Sequence, residues 1–115
     1  MERDAAGARV LDVRPMIAEI AAEIRRGAGV PEIAGRFHAT VADMVVNVCC
    51  ALREETGLNE VALSGGVFQN VLLLGLVQGG LAARGFAVLR HHQVPCNDGG
   101  LSLGQAVVAA RRDVR

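Results

Sequence analysis

The sequence contains no tryptophan, no tyrosine and no lysine, and aromatic residues make up only 3% of its 115 positions. Proteins that stack bases or follow a nucleic-acid backbone need aromatic platforms and a basic patch or stripe. Here all 12 basic residues are arginines scattered along the chain, and 12 acidic residues balance them to a formal net charge of +0. The composition therefore argues against a nucleic-acid partner.

Cysteine is scarce, and long apolar segments are missing. The 3 cysteines (Cys49, Cys50 and Cys96) lack framework spacing, which argues against a disulfide scaffold and favours a reducing compartment. No apolar run reaches the roughly 18 residues of a membrane span, and the polar first residues do not resemble a signal peptide. We therefore expect a cytoplasmic protein without a membrane partner, in which adjacent Cys49 and Cys50 serve as small apolar residues.

What the chain does contain is apolar material for one modest core, with 51% hydrophobic and 21% charged residues. Residues 1–10 are polar and rich in alanine and glycine, so we expect them to be disordered. Beyond them, hydrophobic periodicity predicts the order helix, helix, strand, helix, strand, helix. The predicted helices are 15–26, 31–55, 67–83 and 101–112, and the predicted strands are 61–63 and 86–89.

The strand–helix–strand order predicts a right-handed βαβ unit with parallel strands. Two strands are too few for an independent sheet, and such apolar strands need cover on both faces. The chain therefore either forms a homodimer through an exposed sheet edge or is a piece of a larger α/β fold. Gly79 and Gly80 lie inside the third helix, where each glycine costs about 1 kcal/mol relative to alanine. We expect the helix to end early or to be weak there.

The first candidate site is a turn between the first predicted strand and the next helix. It consists of Ser64, Gly65 and Gly66. Consecutive glycines have no Cβ, which lets a ligand approach the backbone and makes a positive φ cheap. A helix that begins after the turn would point its free N–H groups and positive dipole end at it, which favours a phosphate. Asn70, one turn later, could add a side-chain donor or acceptor.

A second glycine pair, Gly99 and Gly100, has a similar setting near the end of the chain. It follows Asn97 and Asp98 and opens the last predicted helix, so the two turns together predict one composite site. Asp98 is well placed as the N-cap of that helix, and from spacing alone we favour this role. Its carboxylate could instead bind a divalent metal that holds a nucleotide. No residue is an evident catalytic nucleophile.

The three histidines carry weaker signals. His38 lies just beside the apolar stripe of the second helix, and a lone helical histidine is more often an edge or surface residue than a ligand. His91 and His92 follow the second strand, and adjacent side chains of an extended chain point to different sides, so they cannot easily share one metal.

Together, the two motifs resemble the C-terminal end of the HypF family of hydrogenase maturation carbamoyltransferases. The resemblance rests on residues 63–70 (LSGGVFQN) and 94–106 (VPCNDGGLSLGQA), and it extends to residues 34–38. It implies an α/β actin-like ATPase (RNase H-like) fold with two lobes. The chain, 1–115, would be a single partial domain from the C-terminal lobe. The glycine pair at 79–80 departs from the family, which has charged residues there.

The resemblance also implies a site. The lobe would bind ATP and carbamoyl adenylate through Ser64, Gly65, Gly66, Asn70, Asn97, Gly99 and Gly100. Asp98 would bind a divalent metal (Zn, Fe or Mg) together with a His-x-x-x-His pair of the preceding lobe, a motif that this sequence lacks. The implied partners are the remaining lobes of HypF, carbamoyl phosphate as substrate, and HypE, whose C-terminal cysteine would accept the carbamoyl group. Alone, the chain should be inactive.

Two alternatives stay open. One is an enzyme of the same superfamily with another acceptor, either a TsaD-like tRNA threonylcarbamoyl transferase or a small-molecule O-carbamoyltransferase. Residues 67–70 and 97–100 favour HypF over both, and the charge balance provides no basic surface for tRNA. The other alternative is a non-catalytic interaction module, which predicts an exposed sheet edge and an apolar helix face that a partner covers.

Overall fold

The computed structural model describes residues 1–113 as four helices and two small sheets. The elements are β1 (Glu2–Arg3), β2 (Arg9–Val10), α1 (Arg14–Arg25), α2 (Val30–Thr56), β3 (Glu60–Leu63), α3 (Val71–Ala83), β4 (Ala87–Arg90) and α4 (Leu101–Asp113). From α1 onwards this is the predicted order, and the predicted α/β class is confirmed. None of the described helices is both long and apolar enough to cross a bilayer.

The βαβ unit at the centre of the chain has the predicted parallel strands. β3 pairs with β4 so that Val61 is opposite Val88 and Leu63 is opposite Arg90. Parallel strands need a crossover connection, and α3 supplies it. Because the strands run in the same direction, their carboxyl ends lie side by side, and the residues that follow Leu63 and Arg90 enter adjacent loops.

The core lies where α2, α3 and the two strands meet. Val77 and Leu81 of α3 are its fully buried side chains among the described residues. The other buried apolar residues are Ala42, Val46, Leu63, Leu73 and Phe86. Cys49 and Cys50 are half-buried against this cluster, as the sequence predicts for small apolar residues. Burial, followed by the neighbouring Cys50 thiol, raises the pKa of the Cys49 thiol.

Large apolar surfaces remain uncovered. One face of α3 is open to solvent, with Val71 81% and Leu72 54% exposed, although the sequence of this helix is apolar on nearly all sides. Every described residue of α4 is exposed as well. The radius of gyration is 17.6 Å, whereas a compact chain of this length would have about 13 Å. The chain thus has the surfaces expected of a piece of a larger fold.

Residues 1–10 differ from our expectation, because they form a hairpin of β1 and β2. The Asp4 carboxylate accepts hydrogen bonds from two backbone N–H groups of the turn at 2.9 and 2.8 Å. Arg3 and Arg9 both form ion pairs with Glu55 near the end of α2. This anchor is far away in sequence, so the local composition of residues 1–10 gives no sign of it.

The glycine pair in α3 also differs from our expectation, because the helix continues without a break to Ala83. A Cβ added at Gly80 would lie 2.8 Å from Cγ2 of Val46 on α2. At Gly79 a Cβ would have no neighbour within 4 Å. Gly80 therefore permits α3 to approach α2 closely, whereas Gly79 does not serve this packing.

Candidate functional site

The carboxyl ends of β3 and β4 bring the two predicted turns together. The Ser64 hydroxyl oxygen lies 2.8 Å from Nε2 of His91, the first residue after β4. The next residue, Gly65, donates its backbone N–H to the carbonyl oxygen of Cys96 at 2.8 Å. One side-chain contact and one main-chain bond thus join the Ser-Gly-Gly turn to the loop that carries Asn97–Gly100. Cys96 contributes its backbone carbonyl oxygen to this junction.

Only one glycine of the first turn has an unusual backbone conformation. Gly65 has φ 106° and ψ 154°, a region that is essentially restricted to glycine. Gly66 has no positive φ, and a Cβ there would meet nothing within 4 Å. The cheap positive φ that the sequence predicts is therefore used at Gly65.

We expect Gly65→Ala to destabilise the chain by about 1–3 kcal/mol, because an L-residue is strained in this conformation. Gly66→Ala is the matched control and should change the free energy of unfolding by less than about 0.5 kcal/mol. Urea unfolding of both variants measures the difference. Equal effects would contradict the assignment of the turn's glycine requirement to position 65.

The segment after the first turn is a 3₁₀ turn, Gly66–Gln69, and α3 begins only at Val71. Our expectation of a helix from residue 67 was wrong here, since Asn70 interrupts it with φ −71° and ψ 104°. Asn70 is the N-cap of α3, and its Oδ1 accepts the Leu73 N–H at 3.1 Å. The free N–H groups directly after Gly65 therefore belong to the 3₁₀ turn rather than to α3.

The side-chain nitrogen of Asn70 contacts His38 on α2. Asn70 Nδ2 lies 2.8 Å from His38 Nε2, and His38 Nδ1 lies 2.7 Å from the carbonyl oxygen of Ala34. A carbonyl oxygen can only accept, so His38 Nδ1 carries a proton and Nε2 accepts from Asn70. These bonds leave Asn70 with one amide N–H for a ligand. The sequence suggested only an edge position for His38, because its partner lies 32 residues away.

The second turn is capped by Asn97 and not by Asp98, the cap that spacing alone favours. Asn97 Oδ1 accepts the N–H of Gly99 at 3.0 Å, and Asp98–Gly100 forms a 3₁₀ turn that leads into α4. A Cβ at Gly100 would lie 2.8 Å from the carbonyl oxygen of Pro95, so this position requires glycine. Asp98 is exposed, and no described hydrogen bond within residues 1–113 uses its carboxylate.

A groove of about 670 Å³ lies between these strand ends and α4. Its lining includes three of the predicted site residues, Ser64, Asn97 and Gly100, together with His91 and, on α4, Arg112. The volume is within the range of small-molecule sites, which combine apolar walls with a few polar groups. Gly65, Gly66, Asp98 and Gly99 lie in the same turns but outside this lining, and Asn70 lies outside it at the start of α3.

A complete metal site is not formed by the described part of the chain. Within residues 1–113, no group of three or more histidine, cysteine, aspartate or glutamate side chains could hold an ion. The exposed Asp98 carboxylate is available as one ligand, because Asn97 performs the capping role. Any further ligands would have to come from outside this segment.

The fold and the site define a class. It is an α/β unit with two parallel strands, whose joined glycine turns both contribute residues to one groove. A family model described as carbamoyltransferase, Kae1-like domain, second subdomain, matches residues 1–105. The chain belongs to this family, and the resemblance to HypF drawn from its two motifs is confirmed.

Individual relatives agree with this assignment. The chain is 41% identical over 105 residues to the carbamoyltransferase HypF homolog of Cupriavidus necator, covering 90% of this chain and 27% of that protein. It is 34% identical over 104 residues to the carbamoyltransferase HypF of Synechocystis, covering 89% of this chain and 13% of that protein. The chain therefore spans only a small part of the length of these relatives.

A solved structure is similar as well. It is the crystal structure of full-length HypF in the phosphate- and nucleotide-bound form. The TM-score is 0.85 with 39% sequence identity, and the match covers 90% of this chain and 14% of that chain. The fold of this segment is therefore that of a part of HypF, which itself binds phosphate and nucleotide in that crystal.

Proposed function

We propose that this chain is the C-terminal, nucleotide- and carbamoyl-adenylate-binding part of a HypF-like carbamoyltransferase. The observation that carries the proposal is the junction of the two glycine turns through the Gly65–Cys96 hydrogen bond, beside the groove that Ser64 and Asn97 line. A similar segment occurs in a HypF that was crystallised with nucleotide and phosphate. The site would bind ATP and the adenylate.

The nucleotide contacts that we propose are of two kinds, polar side chains and glycine backbone. Ser64 supplies a hydroxyl and Asn97 an amide at the groove, while Asn70 keeps one amide N–H beside its bonds to Leu73 and His38. Gly65, Gly66, Gly99 and Gly100 offer a backbone without side-chain cover, but the N–H groups of Gly65, Gly99 and Gly100 already donate within the two turns. Anionic oxygens favour the donors that remain, the Gly66 N–H and the side chains, since each hydrogen bond to a charged acceptor is stronger than a neutral one.

Asp98 is the residue that we propose for a divalent metal, whose identity (Zn, Fe or Mg) this chain does not specify. A metal bound there would supply Lewis-acid stabilisation of negative charge on the adenylate. Within residues 1–113 the Asp98 carboxylate accepts no described hydrogen bond and does not cap the turn, which leaves it available for this role. The chain would contribute this single ligand, and the remaining lobes of HypF would provide the others.

The assignment to a HypF-like carbamoyltransferase also indicates the partners that we propose. The remaining lobes of HypF would cover the exposed apolar faces of α3 and α4. Carbamoyl phosphate would be the substrate, and the C-terminal cysteine of HypE would accept the carbamoyl group. We place the protein in the cytoplasm, where its three free thiols would stay reduced.

The test uses a HypF chimera, in which this chain replaces the matching segment of the Synechocystis relative. We expect the chimera to bind ATP with Mg²⁺ and to carbamoylate HypE, measured by calorimetry and by mass spectrometry of HypE. The 115-residue chain alone should not transfer carbamoyl. A chimera that has the unfolding temperature of the parent but neither binds ATP nor modifies HypE would contradict the proposal.

A second candidate function is a non-catalytic interaction module, favoured by the exposed apolar surfaces of α3 and α4. It makes a different prediction in the same experiment. An interaction module would restore the folding of a HypF that lacks this segment, but replacing Ser64 and Asn97 by alanine in the chimera would leave ATP binding unchanged.

A further inference from the structure

We propose that His91 is a positioning residue that presents the Ser64 hydroxyl as a hydrogen-bond donor to an anionic oxygen in the groove. The inference rests on the proposed nucleotide site and deepens it, because it adds a residue that the sequence motifs leave out. The pairing follows from the sheet itself. Leu63 is opposite Arg90 in the parallel register, so Ser64 and His91 occupy the next position along the two strands.

The geometry brings the two side chains into direct contact at the groove. Ser64 Oγ and His91 Nε2 are 2.8 Å apart, and both residues line the groove. The backbone bond from Gly65 to Cys96 holds the two loops in register directly behind this pair. The contact is therefore set by the fold.

The chemistry of the pair depends on the proton at Nε2. When Nε2 carries a hydrogen, it donates to Ser64 Oγ, and the serine hydroxyl hydrogen is free to turn towards the groove. When Nε2 lacks a hydrogen, it accepts from Ser64, and the hydroxyl has no hydrogen left for a ligand. Deprotonated phosphate and carboxylate oxygens only accept hydrogen bonds, so an anionic ligand selects the first arrangement.

An imidazolium satisfies this requirement in full, because both of its nitrogens carry hydrogens and it adds a positive charge. The neutral tautomer with its hydrogen on Nε2 satisfies it as well, so the requirement on His91 is a hydrogen at Nε2 that points to Ser64 Oγ. Within residues 1–113, the other charged groups that line the groove are Arg112 and Asp113 on α4, and Arg90, the last residue of β4, precedes His91.

The experiment compares the ATP affinity of the HypF chimera and its variants under one set of conditions. We expect His91→Phe to weaken binding about 10-fold, because the donor to Ser64 is lost. His91→Gln should keep most of the affinity, since its amide can donate to Ser64.

Two further variants separate the possible outcomes. His92→Gln alters the adjacent histidine, which is not among the groove residues, and should behave as the unmodified chimera. In the Ser64→Ala variant, His91→Phe should have little further effect, because the hydroxyl that His91 positions is absent. If the chimera binds ATP and His91→Phe matches it, the inference is wrong while the nucleotide site stands. If the folded, unmodified chimera does not bind ATP, the proposed function fails and the inference fails with it.

Discussion

Asp98→Ala in the HypF chimera is expected to lower carbamoyl transfer to HypE by about 100-fold or more, the scale on which loss of one charge-stabilising group acts. Formation of the adenylate should be unaffected. The reason is that we propose this carboxylate as a metal ligand, and it is exposed and accepts no described hydrogen bond within residues 1–113, so its loss should not disturb the fold. Mass spectrometry of HypE and release of pyrophosphate from ATP measure the two steps separately.

The neighbouring residue provides the control. Asn97, and not Asp98, caps the turn through the N–H of Gly99. Asp98→Ala should therefore change the free energy of unfolding by less than about 0.5 kcal/mol, whereas Asn97→Ala should cost about 0.5–2 kcal/mol as a lost cap. Asp98→Asn preserves the side-chain shape without the charge and should be nearly as inactive as the alanine variant. Normal transfer by either Asp98 variant would rule out the metal role.

The parallel sheet and the meeting of the two turns could be predicted because both follow from local patterns. The apolar strands around Val61 and Val88 are joined by a long apolar helix, and such a connection makes parallel strands. Once the strands are parallel, their carboxyl ends must be neighbours. The glycine turns that follow them are then brought together without any further information.

The details of the caps could not be predicted, because the competing residues are chemically equivalent at the level of sequence. Asn97 and Asp98 are both good N-cap residues, and only the backbone path decides which oxygen faces the free N–H. The same holds for the start of α3, where Asn70 takes the cap and leaves residues 66–69 as a 3₁₀ turn. A shift of the cap by a few residues cannot be read from apolar periodicity.

Contacts between distant residues were missed for another reason. The hairpin of residues 1–10 forms ion pairs with Glu55, and the Asn70 amide contacts His38. Each partner is an ordinary polar residue in its own local context. The pair of Ser64 and His91 is an intermediate case, since the register of the two strands would have identified it had both strand ends been predicted to the residue.

Large apolar side chains are exposed on two helices of this chain, which covers only a small share of its relatives. Val71 and Leu72 on α3 and Leu101 on α4 are more than half exposed, and burial of such side chains contributes about 1.5–3 kcal/mol each. These faces thus hold a large part of the binding free energy for whatever covers them. In the proposed function, the remaining lobes of HypF cover these faces.

Gly79→Ala and Gly80→Ala should have opposite effects on stability, although the residues are adjacent in the middle of one helix. A methyl group at Gly79 meets nothing within 4 Å, so the variant gains about 0.5–1 kcal/mol because alanine has a higher helix propensity. A methyl group at Gly80 would lie 2.8 Å from Val46 Cγ2. Val46 is a buried, β-branched residue that cannot turn away, so the variant loses about 1–3 kcal/mol by overpacking.

The two variants are therefore expected to differ by about 1.5–4 kcal/mol in urea unfolding, the sum of the gain and the loss. A third variant tests the cause, because Val46→Ala removes the methyl group that the new Cβ would meet. Gly80→Ala combined with Val46→Ala should be less destabilising than the sum of the single changes, since the added methyl partly fills the space left by valine. Strict additivity would show that glycine at position 80 serves something other than the close approach of α3 to α2.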